Sequence, residues 1–270
     1  MGPERDDFLT VAVEAARLSG RIILDNLGRI SKEDIGVKQT SDFVTRVDKE
    51  SETVIINTIR KSFPEHHFLA EESVKEIETD GYRWIVDPLD GTTNFIHRYP
   101  VFSVSIALQY KREIILGVIY EPLKDDLFSA QKGRGAFLNG DEIGVSRTTD
   151  LKDGLIATGF PFRRKEFIDS YLALFRNIFL RVSDLRRGGS AALDLVYLAC
   201  GRCEGFFEIG LSPWDIAAGG LLVSEAGGVV TDFGGGPDHL LTGNVVAGVP
   251  GIHDELLGEV KRVFTGILDK

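Results

Sequence analysis

The chain has 270 residues, of which 43% are hydrophobic and 27% are charged, the ordinary mix of a folded enzyme with a full hydrophobic core. Its net charge of −10 disfavours broad binding to nucleic acids, whose phosphates it would repel. No run of about 18 apolar residues occurs, which excludes a membrane-spanning helix. The first residues lack the apolar core of a signal peptide, so we expect a cytoplasmic protein.

The two cysteines, Cys200 and Cys203, form a C-x-x-C pair. One such pair cannot complete a four-ligand zinc site. The small and apolar residues around it favour inert thiols packed in the core over a redox motif.

The first half of the chain begins with helices and continues with short strands. Apolar residues recur near the helical period over residues 8–23, which predicts an opening helix, and a second helix is predicted over residues 47–61. The order predicts a mostly antiparallel α+β lobe over about residues 1–145. Strands are predicted at residues 67–70, 83–86, 101–108 and 113–120, and hairpin turns at residues 133–140.

The second half alternates between strands and helices. This alternation predicts an α/β lobe over about residues 146–270, joined to the first lobe in a single layered domain. The predicted strands are residues 155–157, 205–209, 229–231 and 245–247, and the predicted helices are residues 167–180, 191–199, 216–226 and one from near His253.

Carboxylates recur at the ends of predicted elements. Glu71 follows one strand, Asp87 and Asp90 follow the next, and Asp215 lies at the start of a helix. Apolar neighbours surround Asp87 and Asp215, so we expect these acids to be partly buried and to need partners. Two like charges 4 Å apart repel by about 4 kcal/mol at an effective dielectric near 20. The pattern therefore indicates a site for Mg²⁺, which prefers oxygen ligands and can clamp a phosphoryl group.

The residues after Asp90 suit phosphate binding. Gly91 lets a phosphate approach the backbone, and N–H groups at the start of a following helical turn can bind its oxygens. Thr92 could orient a water nucleophile, and Asp48 could polarise that water through Thr92. The structural alternative makes Asp90-Gly91 a turn, Thr92 a helix cap and Asp48 the N-cap of the second helix. Taken singly, each residue fits this alternative better.

Several of these stretches together resemble the inositol monophosphatase family, within the magnesium-dependent, lithium-sensitive sugar phosphatases. The signature stretches are W-I-V-D-P-L-D-G-T-T-N-F at residues 84–95 and W-D-I-A-A-G at residues 214–219, with support from residues 42–48, 70–73 and 225–228. The resemblance covers nearly the whole chain. It implies an αβαβα sandwich of the inositol monophosphatase and fructose-1,6-bisphosphatase type, a homodimer, and hydrolysis of inositol 1-phosphate by in-line attack of a metal-activated water.

The resemblance also implies two or three Mg²⁺ ions in each active site. Glu71, Asp87 and the backbone carbonyl of Leu89 would hold the first ion. Asp87, Asp90 and Asp215 would hold the second, and a third, weaker ion would lie near Glu71.

Catalytic and phosphate-binding roles follow in the same way. Asp48 and Thr92 would activate the attacking water, with Glu71 as a third catalytic group through its metal. The backbone N–H groups of Gly91 and Thr92 would bind the phosphate.

The substrate is expected to be a small phosphorylated polyol or sugar. By resemblance, Glu208 would contact substrate hydroxyls, Ala191 would line that pocket, and Lys38 would lie near the site. Residues 158–162 resemble bacterial and archaeal members, some of which also cleave fructose 1,6-bisphosphate. Residues 163–165, Arg-Arg-Lys, could meet a second phosphate, although a solvated helix start is favoured.

The sequence leaves three alternative functions to consider. Haloacid-dehalogenase-type phosphatases carry two Asp residues two apart, whereas Asp87 and Asp90 are three apart. Enzymes specific for 3′-phosphonucleotides are usually longer. Some bacterial relatives act as partners of the transcription machinery with dispensable catalysis, and a surface for such a role, or a dimer interface, could include Arg181, Arg186 and Arg187.

Overall fold

Two β-sheets separate three layers of helices in the computed structural model of the protein. The structure describes residues 5–39, 42–74 and 80–268, and for residues 5, 6, 32, 37–39 and 42 it describes the backbone alone. The helices are α1 (Arg5–Asn26), α2 (Arg46–Ser62), α3 (Thr92–His97), α4 (Ile168–Phe179), α5 (Ala191–Ala199), α6 (Pro213–Glu225), α7 (His239–Thr242) and α8 (Pro250–Phe264).

Fourteen strands in the described ranges form the sheets. They are β1 (Ile35–Gln39), β2 (Asp42–Thr45), β3 (His67–Ala70), β4 (Tyr82–Asp90), β5 (Ser103–Tyr110), β6 (Glu113–Glu121), β7 (Asp126–Gln131), β8 (Ala136–Leu138), β9 (Asp141–Ile143), β10 (Leu155–Thr158), β11 (Asp184–Arg186), β12 (Gly205–Glu208), β13 (Val229–Thr231) and β14 (Val245–Gly248). β1 and β2 pair with each other.

The two large sheets differ in topology. The first has seven strands in the order β3-β4-β5-β6-β7-β8-β9 and is antiparallel except for the pair β3–β4. The second has five strands in the order β11-β10-β12-β14-β13, with parallel pairing of β10 to β11 and β12. The mostly antiparallel character predicted for the first half is therefore confirmed.

Three hydrophobic clusters hold the layers together. α1 and α2 pack on the outer face of the first sheet, around residues such as Trp84. α5 and α6 fill the space between the sheets with Leu195 and Ile216. α4 and α8 cover the outer face of the second sheet with Tyr171 and Leu256. The alternation of helix and sheet layers confirms the αβαβα sandwich.

Some predicted boundaries were wrong. α6 begins at Pro213, three residues before the predicted start, because Ser212 caps the helix and proline is well suited to the first helical position. α8 likewise begins with a proline, Pro250, rather than near His253. β1, β2, β7 and β11 were not predicted, because short strands carry little periodic signal.

Cys203 is buried and Cys200 partly buried, both as free thiols.

Candidate active site

A β-bulge in β4 places two aspartates on one side of the strand. Asp87 pairs with Ser105 and Asp90 with Ser103, so three steps on β4 match two on β5. Pro88 lies inside this bulge and has no N–H to donate to the ladder. Residues three apart on a regular strand point to opposite faces, whereas one extra residue returns them to the same face. The D-P-L-D sequence thereby turns Asp87 and Asp90 toward each other.

Asp215 reaches the same point from α6. It is the third residue of that helix and closes a capping box, in which its Oδ2 accepts the backbone N–H of Ser212 at 2.7 Å. The Ser105 hydroxyl donates to the carbonyl of Trp214 at 3.1 Å and ties this helix start to β5. One carboxylate oxygen each from Asp87, Asp90 and Asp215 lies within 4.8 Å of the others.

The electrostatics of this cluster call for a cation. Asp87 is 1% exposed and Asp215 is 4% exposed. Burial, followed by the charges of Glu71 and Asp90, raises the pKa of Asp87 well above its ordinary value. Burial and the charge of Asp215 raise the pKa of Asp90 to about 7. Oxygen ligands that repel one another in a partly water-filled cleft are the donor set that Mg²⁺ takes, so the residues fit a divalent cation.

Asp90 also connects the cluster to α5. Its Oδ2 accepts hydrogen bonds from the Ser190 hydroxyl at 2.6 Å and from the Ala192 backbone N–H at 2.8 Å. These bonds satisfy donors at the start of α5 and fix one oxygen of Asp90. They also hold Ala191, between the two donors, at the wall of the cleft.

Glu71 lies in a turn after β3 that is anchored from α2. Glu52 is buried, and its Oε2 accepts the backbone N–H of Glu72 at 2.7 Å, while its other oxygen accepts the Ser73 hydroxyl. Glu52 was missed by sequence reasoning. Its spacing of four residues from Asp48 on the buried face of α2 was the available signal.

The buried Asp48 and the half-buried Thr92 are joined by a hydrogen bond. The Thr92 hydroxyl lies 2.8 Å from Asp48 Oδ1 and 3.1 Å from the Leu89 carbonyl oxygen. The expected N-cap role of Asp48 was wrong, because Thr45 is the N-cap and Asp48 completes its capping box from the third helical position. Burial raises the pKa of Asp48 although its hydrogen bonds oppose this shift.

Gly91 allows the chain to turn from β4 into α3. It is the N-cap of α3 with φ +97°, a conformation that favours glycine. A Cβ atom there would lie 2.9 Å from the Val101 carbonyl oxygen. The alternative that made Thr92 the cap was therefore wrong, and Thr92 is the first residue of the helix.

These residues surround a cleft of about 370 Å³. Asp48 is hydrogen-bonded to Thr92, which lines the cleft, and the side chain of Lys38 lies outside the described residues. Arg187, Ser190 and Asp194 also line the cleft and were not predicted to do so. The predicted site residues that line the cleft are Glu71, Asp87, Leu89, Asp90, Gly91, Thr92, Ala191, Glu208 and Asp215.

The basic run at residues 163–165 divides between cleft and surface. Arg163 lines the cleft and its guanidinium lies 2.8 Å from Asp215 Oδ2. Arg164 pairs with Glu166 at 2.6 Å, and Lys165 is exposed. The favoured interpretation of the whole run as a solvated helix start was therefore wrong for Arg163.

The three arginines considered for a partner surface or a dimer interface lie in different places. Arg187 lines the cleft. Arg181 pairs with Glu255 and Glu259 of α8, and Arg186 pairs with Asp184. Only Arg181 and Arg186 of these three remain candidates for a surface away from the cleft.

A five-layer αβαβα sandwich with converging carboxylates beside a glycine-threonine helix start is typical of metal-dependent phosphatases. The chain belongs to the Inositol monophosphatase family, whose sequence profile matches residues 4–263. The predicted family is thereby confirmed. No helix in the described part of the chain combines the length and apolar character that a bilayer crossing requires.

Known proteins similar to this chain carry two kinds of name. The Nus factor SuhB of Escherichia coli strain K12 is 49% identical over 264 residues, which span 97% of this chain and 99% of that protein. The crystal structure of the extragenic suppressor protein suhB from Bartonella henselae is 44% identical with a TM-score of 0.91, covering 95% and 99% of the two chains. The inositol monophosphatase of Anabaena sp. PCC 7120 is 42% identical with a TM-score of 0.86, covering 96% of each.

Proposed function

We propose that this protein is a Mg²⁺-dependent phosphomonoesterase that hydrolyses inositol 1-phosphate to inositol and phosphate. The observation that carries the proposal is the convergence of Asp87, Asp90 and Asp215 within 4.8 Å in the cleft that Glu71 and Gly91 also line. Membership of the Inositol monophosphatase family supports the same reaction.

The carboxylates divide between two principal ions in this proposal. Glu71, Asp87 and the Leu89 carbonyl would hold one, Asp87, Asp90 and Asp215 would hold another, and a third would bind more weakly near Glu71. Bound Mg²⁺ supplies neutralisation of the phosphate charge and activation of the attacking water. Arg163, whose guanidinium lies 2.8 Å from Asp215 Oδ2, adds a positive charge beside these carboxylates.

The Asp48–Thr92 pair orients the water. Asp48 Oδ2 already accepts two hydrogen bonds from Thr45, and its Oδ1 accepts the Thr92 hydroxyl proton. With its proton directed at Asp48, the Thr92 oxygen presents lone pairs to the cleft. It can accept a proton from the water as that water attacks in line, while its own proton passes to Asp48. The backbone N–H groups of Gly91 and Thr92 would bind the phosphate oxygens.

The polyol would lie against Ala191 and Glu208, which line the cleft. Carboxylates accept hydrogen bonds from hydroxyl groups, so Glu208 suits a polyhydroxylated ring. Fructose 1,6-bisphosphate is proposed as an additional substrate because Arg163 and Arg187 line the cleft and could meet a second phosphate.

Phosphate release tests this proposal. We expect release from inositol 1-phosphate and from fructose 1,6-bisphosphate with Mg²⁺ and none with a chelator, and the ratio of the two rates ranks the substrates. Asp87→Asn should abolish release and keep the fold, because an amide oxygen can still accept the Leu89 N–H that Asp87 Oδ1 accepts at 2.9 Å. Failure of the folded, Mg²⁺-loaded wild type on both esters would contradict the proposal.

A second function is supported by the names of the relatives. Several are Nus factors, among them the Escherichia coli protein. We propose as the alternative a binding partner of the transcription machinery for which catalysis is dispensable. A pull-down from lysate at native salt should then recover RNA polymerase equally with the wild type and with Asp87→Asn. Recovery with neither protein would remove this alternative.

A cytoplasmic homodimer inhibited by lithium is also proposed, from the family resemblance. Exposed apolar side chains on and beside α4 support a dimer surface: Leu172, Phe179 and Leu180. Light scattering should give twice the mass of 29.7 kDa, and Leu172→Glu should return a monomer. A wild-type monomer at micromolar concentration would contradict this part of the proposal.

A further inference from the structure

Two buried carboxyl groups in the wall of the cleft accept no hydrogen bond from the described residues. Asp194 lies in the first turns of α5 and Glu208 ends β12, and each is only 6% exposed. Within the described residues, no group donates a hydrogen bond to either carboxyl. Both line the cleft.

Such carboxyls are costly to a free protein. Burying a polar group without a partner is unfavourable, and the great majority of buried polar atoms are paired. Burial and the charge of Asp90 raise the pKa of Asp194 well above its ordinary value. Burial and the charge of Asp194 do the same for Glu208, while Arg187 offsets both shifts only in part.

Two glycines make room for these groups. A Cβ atom on Gly159 would lie 2.0 Å from Glu208 Oε1, and one on Gly188 would lie 2.9 Å from Asp194 Oδ1. A side chain at either glycine would therefore displace the carboxyl group that lies against it. Asn94 fixes the second approach, because its amide donates to the Gly188 carbonyl at 3.0 Å.

The chemistry of the pair indicates its ligand. Among the described residues, the carboxylates close enough to share an ion are Asp87, Asp90 and Asp215, without Asp194 or Glu208. Two acids would repel a phosphate group. Carboxyl oxygens accept hydrogen bonds from hydroxyl groups in either protonation state.

We propose that Asp194 is a specificity-determining residue that, together with Glu208, binds the hydroxyl groups of the substrate's polyol. This inference rests on the proposed phosphomonoesterase function. It predicts that the protein selects polyhydroxylated esters over esters without hydroxyl groups.

The test compares two esters as substrates of the wild type and of three variants. The esters are inositol 1-phosphate and phenyl phosphate, which has no hydroxyl groups. In Asp194→Leu, the ratio of kcat/KM for inositol 1-phosphate to that for phenyl phosphate should fall about tenfold or more, chiefly through KM, and Asp194→Asn should recover part of it. Glu204→Gln is the matched control, because Glu204 is a buried acid outside the cleft that accepts the Leu155 N–H at 2.7 Å.

The midpoint of thermal unfolding distinguishes a binding role of Asp194 from a structural one. Without ligand, Asp194→Asn should raise the midpoint of thermal unfolding, because it removes an unpartnered buried acid, whereas Glu204→Gln should lower it without changing the ester ratio. An unchanged ester ratio in Asp194→Leu, or a lower midpoint in Asp194→Asn with equal loss on both esters, would overturn the inference and leave the phosphatase function standing. Inactivity of the wild type on both esters would overturn both.

Discussion

Thr92 Oγ1 lies 2.8 Å from Asp48 Oδ1, across 44 positions of sequence, and joins the first turn of α3 to the first turn of α2. The other oxygen of Asp48 is occupied by the backbone N–H and hydroxyl of Thr45, at 2.8 and 2.6 Å. One carboxylate therefore caps a helix and directs the proton of a hydroxyl that faces the cleft.

Removing that hydroxyl should impair turnover and spare the fold. We expect Thr92→Val to lower kcat by about 10²- to 10⁴-fold, the range for loss of a group that accepts a proton in the transition state. Thr92→Ser keeps the hydroxyl and should retain most of the activity. Steady-state kinetics on inositol 1-phosphate, with circular dichroism as a check of folding, measure both. Equal activity of the valine and serine variants would contradict the proposed role.

Glu52 should act on metal affinity rather than on chemistry. Its carboxylate holds the backbone N–H of Glu72 and the Ser73 hydroxyl, so Glu52→Ala should loosen the turn that carries Glu71. We expect the Mg²⁺ concentration for half-maximal rate to rise about tenfold, in line with losses of outer-shell metal partners, while kcat at saturating Mg²⁺ changes less.

Glu50→Ala is the control for that experiment. Glu50 lies on the same helix but is exposed, and it pairs with Arg46 on the surface. It should leave the Mg²⁺ dependence unchanged. If both variants shift the Mg²⁺ dependence equally, the effect belongs to α2 as a whole and Glu52 has no specific role.

Stability of the metal-free protein should decrease as pH rises. In the folded state the pKa of Asp90 is raised to about 7, so the folded protein holds a proton that the unfolded chain releases near pH 4. The stabilisation is full below about pH 4 and is lost as pH rises toward 7. Thermal unfolding in a chelator should report this decline, and Mg²⁺ should reverse it at pH 7. Asp90→Asn should lessen the decline without removing it, because the pKa values of Asp48, Asp87, Asp194 and Glu208 are also raised. An unchanged slope in that variant would exclude Asp90 as a source.

Gly91→Ala tests the close approach at the start of α3. The variant combines an unfavourable φ of +97° with a Cβ placed 2.9 Å from the Val101 carbonyl oxygen. We expect a loss of about 1–3 kcal/mol in the free energy of unfolding and loss of activity. Gly133→Ala, with φ +75° and no atom within 4 Å of its Cβ, is the control for φ alone. Equal losses in the two variants would show that the contact with Val101 is unimportant.

Much of the fold could be predicted from periodicity. α5, at residues 191–199, matches its prediction in both bounds because its apolar pattern is strong and Ser190 caps it. Short strands such as β11 have only three residues and depend on pairing with distant strands. The Thr45–Asp48 capping box carried a recognisable spacing, but either residue alone is a good cap, so the wrong one was chosen.

The candidate site could be predicted in part. Its acids lie in local motifs, and the proline within D-P-L-D gives a physical reason for the bulge that pairs Asp87 with Asp90. Glu52 lies four residues after Asp48 on the buried face of α2, but neither Glu52 nor Asp194 belongs to a local motif that identifies its role. Glu52 is important through its contact with Glu72, 20 residues away, and Asp194 through its position in the wall of the cleft. Such relationships appear only when the layers are assembled.

The most direct test of the central claim is a Mg²⁺ titration of phosphate release from inositol 1-phosphate by the wild type and Asp87→Asn. Asp87 is common to both proposed principal ion sites, so we expect saturable activation of the wild type and no activation of the variant at any Mg²⁺ concentration. Wild-type release that is independent of Mg²⁺, or equal activation of the variant, would contradict a metal centre built on Asp87, Asp90 and Asp215.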